Sequence, residues 1–283
     1  MEFEKWHALG NDYVIFEASA LPFELTSKRI AAICAAHTGV GSDGVLLLSE
    51  PDAAEDVARL RIFNPDGSEA ELSGNGAREA ALYLRRRGWT DAETFSIETA
   101  AGVIRPRIAS DTECTVDMGR ARTRAADYPS GAPDGRGELS AGDHTWRFQF
   151  VQVGNPQCSI AVADEPQLAA LDLPAIGPPL ERHELFPHRT NVSWYAVRDP
   201  ATIRARIFER GVGETSASGT GATGAAVAHV LAGGCSPTTV ILDGGTLVVD
   251  VAEDLQINLS GWAVPVFHGS LADEFVKELH ATE

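Results

Sequence analysis

The chain has 283 residues, 44% apolar and 22% charged, with a formal net charge of −17. This composition fits a soluble globule with a large core, and the length favours two halves of roughly 140 residues over one domain. The acidic balance argues against nucleic acid and anionic membranes as partners.

In chain order, FEKWHALGNDYVIFEA (residues 3–18) reads as strand interrupted by a turn at Gly10-Asn11-Asp12. Thr26 to His37 has the apolar spacing of an amphipathic helix, with Thr26 or Ser27 as its cap. GVGSDGVLLLSE is a glycine-rich loop entering an apolar strand, Val45 to Leu48, and Arg105 to Met118 alternates as a strand does. Arg120 to Gly142, rich in Arg, Gly, Pro and Ser, is the best linker candidate, with little in it to form a core. WRFQFVQVGNPQCSIAVAD then gives strands around Gly154-Asn155-Pro156. Pro166 to Leu185 has a helix-like centre, and HRTNVSWYAV leads through Thr190-Asn191 into a strand. VILDGGTLVVDV signals a hairpin with Gly-Gly at its turn, and LADEFVKELHATE a short amphipathic helix.

Cys34, Cys114, Cys158 and Cys235 show neither a CxxC pair nor metal-ligand spacing, so they read as small core residues and no metal site is expected. Lys5, Lys28 and Lys277 are the only lysines, and none lies in a site-like context, which argues against a pyridoxal phosphate enzyme. The polar start MEFE is no export signal and no apolar run is long enough for a bilayer, so a cytoplasmic protein with free thiols is expected.

One stretch occurs twice. RLRIFNPDGSEAELSGNGAREAA (Arg59 to Ala81) and RARIFERGVGETSASGTGATGAA (Arg204 to Ala226) align without gaps at an offset of 208 − 63 = 145. The alignment superposes Arg61 on Arg206, Phe63 on Phe208, Glu69 on Glu214 and Ser73-Gly74 on Ser218-Gly219. Gly10-Asn11 and Gly154-Asn155 repeat at the neighbouring offset of 144. Agreement at one register in both apolar and special residues indicates an internal duplication, and two copies suggest two similar domains facing each other.

Each copy reads as strand, polar loop and alanine-rich helix, with Ser73 or Ser218 at the helix start. A serine there is an ordinary N-cap. The flanking glycines Gly74 and Gly76, or Gly219 and Gly221, strip the first turn of side chains and leave amides open to an anion such as a carboxylate. Two such sites imply a substrate held in a cleft between the halves, with one reactive side chain on each side of one carbon. That is the arrangement a two-base racemase needs. Gly219-Thr-Gly221-Ala-Thr-Gly224 also fits GxGxxG, but the polar loop ERGVGETSA separates it from its strand, against a dinucleotide site.

The chain resembles the diaminopimelate epimerase family along its whole length. The resemblance is carried by HALGND, FNPDGSEAELSGNGAR, GNPQC, TNVS and FERGVGETSASGTG, in that order. It implies an α/β (α+β) fold of two pseudo-symmetric domains, each a curled sheet around a central helix with the active site in the cleft between them. The halves would comprise residues 1–119 plus 265–283, and 120–264. It implies a cofactor-independent, PLP-independent isomerase inverting Cα of LL- and meso-diaminopimelate, for lysine and peptidoglycan synthesis, usually as a homodimer. On this family's pattern Asn64, Asn191, Glu209 and Arg210 hold the distal amino-acid end of the substrate, Asn11 and Asn155 line the same cleft, and Gly74-Asn75 and Gly219-Thr220 donate to the reacting carboxylate.

The departures fall on the chemistry. The resemblance puts cysteines where this chain has Ser73 and Ser218, and a histidine at Gln157. A helix N-terminus can bring a cysteine to thiolate, whereas a serine hydroxyl needs a neighbouring base, and none is evident in the sequence beside either serine. Ser73 and Ser218 are therefore taken as the catalytic pair, with three accounts of them open. They are an engineered inert pair, a natural Ser/Ser branch with help from groups such as His7, or the mark of drift to another amino acid or to binding alone.

Overall fold

The computed structural model describes residues 1–141 and 144–282, and it divides the chain into two compact units. Gly142, the last residue of the expected linker, and Glu283, which ends the expected tail helix, lie outside the described residues. One unit comprises Met1–Val116 and Gly261–Glu283, the other Asp117–Ser260.

The first unit opens with a hairpin, β1 (Glu2–Ala8) and β2 (Asn11–Glu17). Its turn is Leu9-Gly10, both at positive φ (56° and 90°), so Asn11 and Asp12 already pair as strand residues. Helix α1 (Ser27–Cys34), capped by Thr26, crosses to β3 (Val45–Ser49), which lies parallel to β2. β4 (Ala58–Phe63) returns antiparallel, a short β5 (Glu69–Ala70) folds back on it, and α2 (Gly74–Arg86) crosses to β6 (Ile97–Thr99), parallel to β4. β7 (Gly102–Ile104) closes this hairpin series. After β8 (Arg107–Ile108), the chain enters the second unit within β9 (Glu113–Arg120).

The second unit repeats the plan. β10 (Arg136–Ala141), β11 (His144–Val153) and β12 (Asn155–Val162) form an antiparallel meander. Helices α3 (Glu165–Ala170) and α4 (Leu173–Glu181) cross to β13 (Asn191–Asp199), parallel to β12. β14 (Thr202–Glu209) and β15 (Gly213–Thr215) follow, and α5 (Gly219–Leu231) crosses to β16 (Thr238–Leu242), parallel to β14. β17 (Gly245–Val251) and β18 (Gln256–Trp262) complete the meander, and β19 (Val264–Ser270) and α6 (Asp273–Ala281) belong to the first unit, where β19 pairs with β1. The orders β1-β2-β3-β4-β6-β7 and β11-β12-β13-β14-β16-β17 therefore carry the same alternation of antiparallel and parallel pairs, six strands in each unit. The duplication read from twenty-odd residues extends through this whole pattern.

Burial explains why each sheet curls around its helix. Every residue of α2 from Gly74 to Leu84 is buried, as is nearly all of α5 from Gly219 to His229. A helix buried on all faces needs walls on all sides. Trp6 and Trp194, both 0% exposed, anchor the surrounding sheets.

Three expectations need revising. Cys235, expected as a core residue, is exposed, whereas Cys34, Cys114 and Cys158 are buried. Arg120 to Gly142 is not an inert linker: it supplies β10, and Tyr128 and Leu139 pack with Phe148, Phe150 and Phe186 in the second unit's core. Aromatic burial there outweighs the local Gly and Pro signals. The late hairpin turns on Asp243-Gly244, since Leu242 pairs with Gly245, so Gly-Gly does not occupy the two turn positions.

Candidate active site

Both serines cap their helices. Ser73 Oγ accepts from Gly76 N at 3.1 Å, and Ser218 Oγ from Gly221 N at 3.2 Å. The third amide of each helix is thus satisfied, and the N–H groups of Gly74 and Asn75, or Gly219 and Thr220, are the ones a helix cannot satisfy internally. The glycines at 76 and 221 have a packing reason instead. A Cβ at Gly76 would meet Leu46 Cδ2 at 3.0 Å, and one at Gly221 would meet Ile207 at 2.7 Å. The expected opening of the first turn to a ligand therefore falls to the first two helical residues alone.

In the first unit the Ser73 hydroxyl also accepts from the Tyr13 hydroxyl at 3.2 Å. With two donors already on Oγ, the hydroxyl's own proton is directed elsewhere. Asn75 and Asn11 are joined directly: Asn75 Nδ2 donates to Asn11 Oδ1 at 3.1 Å, and Asn11 Nδ2 to Asp43 at 3.0 Å. Asn64 stands apart from these, in the loop between β4 and β5, where its amide donates to Ser68 Oγ at 2.9 Å.

In the second unit the Ser218 hydroxyl donates to Glu209 Oε2 at 2.9 Å, and Thr215 Oγ1 donates to the other carboxylate oxygen at 2.8 Å. The sequence reading found no base beside either serine. The structure corrects this for Ser218, because β15 folds back on β14 and brings residues nine apart in sequence into contact. Loss of solvation raises the Glu209 pKa above the usual carboxylate range, while the two hydroxyl donors pull it down. Raised in this way, the group is better matched to accept a proton near neutral pH than a solvated glutamate.

Asn191 is buried. Its Oδ1 accepts from Arg210 N at 2.7 Å, and its Nδ2 has no partner among the described residues, an unused donor of the kind a ligand oxygen would satisfy. Arg210 is exposed and donates one guanidinium N–H to the His188 carbonyl at 3.0 Å. Asn155 Oδ1 accepts from Gln157 Nε2 at 2.5 Å, and the fully buried Gln157 leaves its own oxygen without a partner among the described residues. His7, weighed as a helper, instead packs edge-on against Trp262, with its Nδ1 accepting from Gly10 N at 3.3 Å. Hydrogen bonds tie Asn11 to Asn75 at the start of α2 and Glu209 to Ser218 at the start of α5, and join Asn191 to the backbone of Arg210, whereas Asn64 bonds Ser68 and Asn155 bonds Gln157. Tyr13, Asp43, Arg78 and Thr215 were missed. The first three act from elements distant in sequence or from a helix interior, although Tyr13 stands two residues after Asn11 and was within reach of the motif.

The chain matches the family model described as diaminopimelate epimerase over residues 3–124 and 149–264. A diaminopimelate epimerase of Desulforudis audaxviator is 43% identical over 279 residues, 95% of this chain and 98% of that one. One from Pelotomaculum thermopropionicum is 41% identical over 280 residues, 95% and 98% of the two chains. Among solved structures, a probable proline racemase from Agrobacterium radiobacter K84 shares the fold at a TM-score of 0.69 and 13% identity, covering 96% of this chain and 93% of that one. A phenazine biosynthesis protein of Clostridium difficile does so at 0.68 and 12%, covering 96% and 99%. A family match through both halves and relatives at this identity along nearly the full length lead to one conclusion: this protein is an isomerase belonging to the diaminopimelate epimerase family.

Proposed function

We propose that the protein inverts Cα of LL- and meso-diaminopimelate without a cofactor, using Ser218 with Glu209 as one acid–base group and Ser73 as the other. The observation that carries this reading is the opposite dressing of the two serines. Ser218 gives its proton to a carboxylate, whereas Ser73 accepts from Tyr13 and from an amide and keeps its own proton for a ligand.

In the direction in which Ser218 removes the proton, the Cα–H proton passes to Ser218 Oγ as the Ser218 hydroxyl proton passes to Glu209. The electron pair stays on the substrate as a carbanion delocalised into its carboxylate, and Ser73 donates its proton to the opposite side of that carbon. The amides of Gly74, Asn75, Gly219 and Thr220 are the proposed donors to the α-carboxylate, whose charge grows in this step. Asn64, Asn191, Glu209 and Arg210, with Asn11 and Asn155, remain the proposed substrate-binding set. Glu209 then has two duties, and its contact with Ser218 favours the catalytic one. Lysine and peptidoglycan synthesis in the cytoplasm is the proposed setting. A homodimer is proposed as well, on the strength of β19, the outer strand of its sheet, which leaves Val266 and Phe267 53% and 45% exposed.

The test is Cα exchange: incubation with LL-diaminopimelate in D2O, following deuterium uptake and meso isomer by NMR and chiral chromatography. Exchange that is lost in both Ser73→Ala and Ser218→Ala supports the pair as the two bases. No exchange by the unmodified chain, with exchange by Ser73→Cys/Ser218→Cys, would reduce the protein to a binder on an intact scaffold. Arg210→Ala should weaken diaminopimelate binding by roughly tenfold or more, and unchanged affinity would remove the substrate assignment.

A further inference from the structure

Arg78 lies inside the first unit at 0% exposure, and no carboxylate stands within ion-pair distance of it among the described residues. Burial lowers its pKa to about 10, so it is still a cation at neutral pH. Its guanidinium donates to the Gly74 carbonyl at 3.0 Å and to Asn75 Oδ1 at 2.6 Å. Asn75 Nδ2 then donates to Asn11 Oδ1, and Asn11 Nδ2 to Asp43 Oδ2, which also takes the Asp12 amide at 3.0 Å. The chain of bonds runs one way, from a group that can only donate to a group that, ionised, can only accept.

A carboxamide can ordinarily flip and exchange its donor for its acceptor. Here neither can. A flipped Asn75 would turn its NH2 on the guanidinium, and a flipped Asn11 would turn its oxygen on a carboxylate. Among its described residues the second unit has no such relay: at the equivalent positions stand Thr223 for Arg78 and Thr220 for Asn75, and Thr223 Oγ1 takes over only the contact with the first helical carbonyl, Gly219 O, at 2.8 Å.

We propose that Arg78 and Asp43 are positioning residues: through this relay they commit Asn75 and Asn11 to present N–H groups at the start of α2, selecting a carboxylate over a carboxamide there. The proposal rests on the functional reading above for the ligand's identity but not for the relay itself. Each amide nitrogen has one hydrogen engaged in the relay and one left over, so what a ligand meets is donors. A carboxylate accepts from both, while an amide can turn only one oxygen towards them.

The experiment uses the full chain and three variants, Asp43→Ala, Arg78→Gln and Arg78→Lys. In the ligand-free protein, side-chain amide NMR signals of Asn11 and Asn75, assigned through Asn11→Asp and Asn75→Asp, report the relay. Asp43→Ala, which removes the one oxygen that ends the relay at an exposed position, is expected to shift the Asn75 amide, which Asp43 does not touch. Arg78→Gln should shift both amides, and Arg78→Lys should restore them towards the unmodified pattern. An unmoved Asn75 amide in folded Asp43→Ala overturns the relay. With ligand, the ratio of affinities for diaminopimelate and its α-monoamide should fall roughly tenfold in Asp43→Ala and Arg78→Gln, the worth of about one hydrogen bond to a charged group, and hold in Arg78→Lys. An unchanged ratio overturns the selection. If the unmodified chain binds neither compound, the functional reading fails, and the amide shifts alone decide the relay.

Discussion

The two units carry the same six-strand pattern around the same capped helix, yet they distribute polarity differently. In the first, a buried arginine, two asparagines and an aspartate form a polarised chain under the serine, and the serine itself meets a tyrosine. In the second, Thr220 and Thr223 stand at the places of Asn75 and Arg78, and the polar partners of the serine are Glu209 and, through it, Thr215. A duplicated fold therefore need not yield two equivalent groups. One copy holds a hydroxyl whose proton has an acceptor, the other a hydroxyl whose proton is spare, which is the inequality an acid–base pair requires at any instant.

The largest expected effect tests that inequality. Glu209→Gln should lower the rate of Cα exchange by about 10²–10⁴-fold, the usual worth of a positioned general base. Tyr13→Phe, on the other serine, should cost about tenfold or less, since it removes one neutral hydrogen bond. Equal losses in the two variants would erase the distinction drawn here. The exchange rate of the unmodified protein should also rise with pH as Glu209 ionises, with a midpoint above the usual carboxylate value of 4.5, and that acid limb should vanish in Glu209→Gln.

Packing gives the next comparison. In Gly221→Ala the new methyl meets Ile207 at 2.7 Å, and it should cost about 1–3 kcal/mol in urea unfolding. In Gly76→Ala its tightest contact is the movable end of Leu46 at 3.0 Å, and the cost should be smaller. The repeated ion pairs differ in the same sense. Arg206 bonds Glu214 and the Leu168 and Leu171 carbonyls at the end of α3, with its side chain 16% exposed, whereas Arg61 pairs with Glu69 and is 45% exposed. Arg206→Ala should lose about 2 kcal/mol and Arg61→Ala under about 1 kcal/mol.

The smallest effect concerns Glu79, which is fully buried beside Arg78 and has Gly224 as its counterpart. Burial raises its pKa well above 4.5, so the folded state holds this proton more tightly than the unfolded chain does. Its contribution to stability is complete below about pH 4.5 and is lost as pH rises towards the folded value. Glu79→Gln should remove that decline, so its urea midpoint should gain on the parent as pH rises above 4.5. Midpoints that stay parallel above that pH would show that Glu79 does not hold its proton more tightly in the folded state.

Much of this was legible in the residues. The constant offset of 145 pointed to the duplication, Arg61 with Glu69 and Arg206 with Glu214 aligned before they were seen to pair, and Ser73 and Ser218 stood at helix starts. The motif order pointed to the family. These are local or periodic signals: a cap, a strand alternation and a glycine act on neighbours a few residues away, and so they leave their mark on the sequence itself.

What only the tertiary structure decided is which groups touch the two serines. Glu209 reaches Ser218 because a hairpin folds back, Tyr13 reaches Ser73 across 60 residues, and Arg78 reaches Asp43 only through two amides. Even the glycines gained a second meaning, since the close approach of helix to strand leaves no room for a side chain at 221 and little at 76. Sequence determined the fold and the repeat, because those follow from pattern and local propensity. The hydrogen-bond partners of each serine depended on how the chain folds back, across 9 residues at Ser218 and 60 at Ser73, which no local pattern encodes.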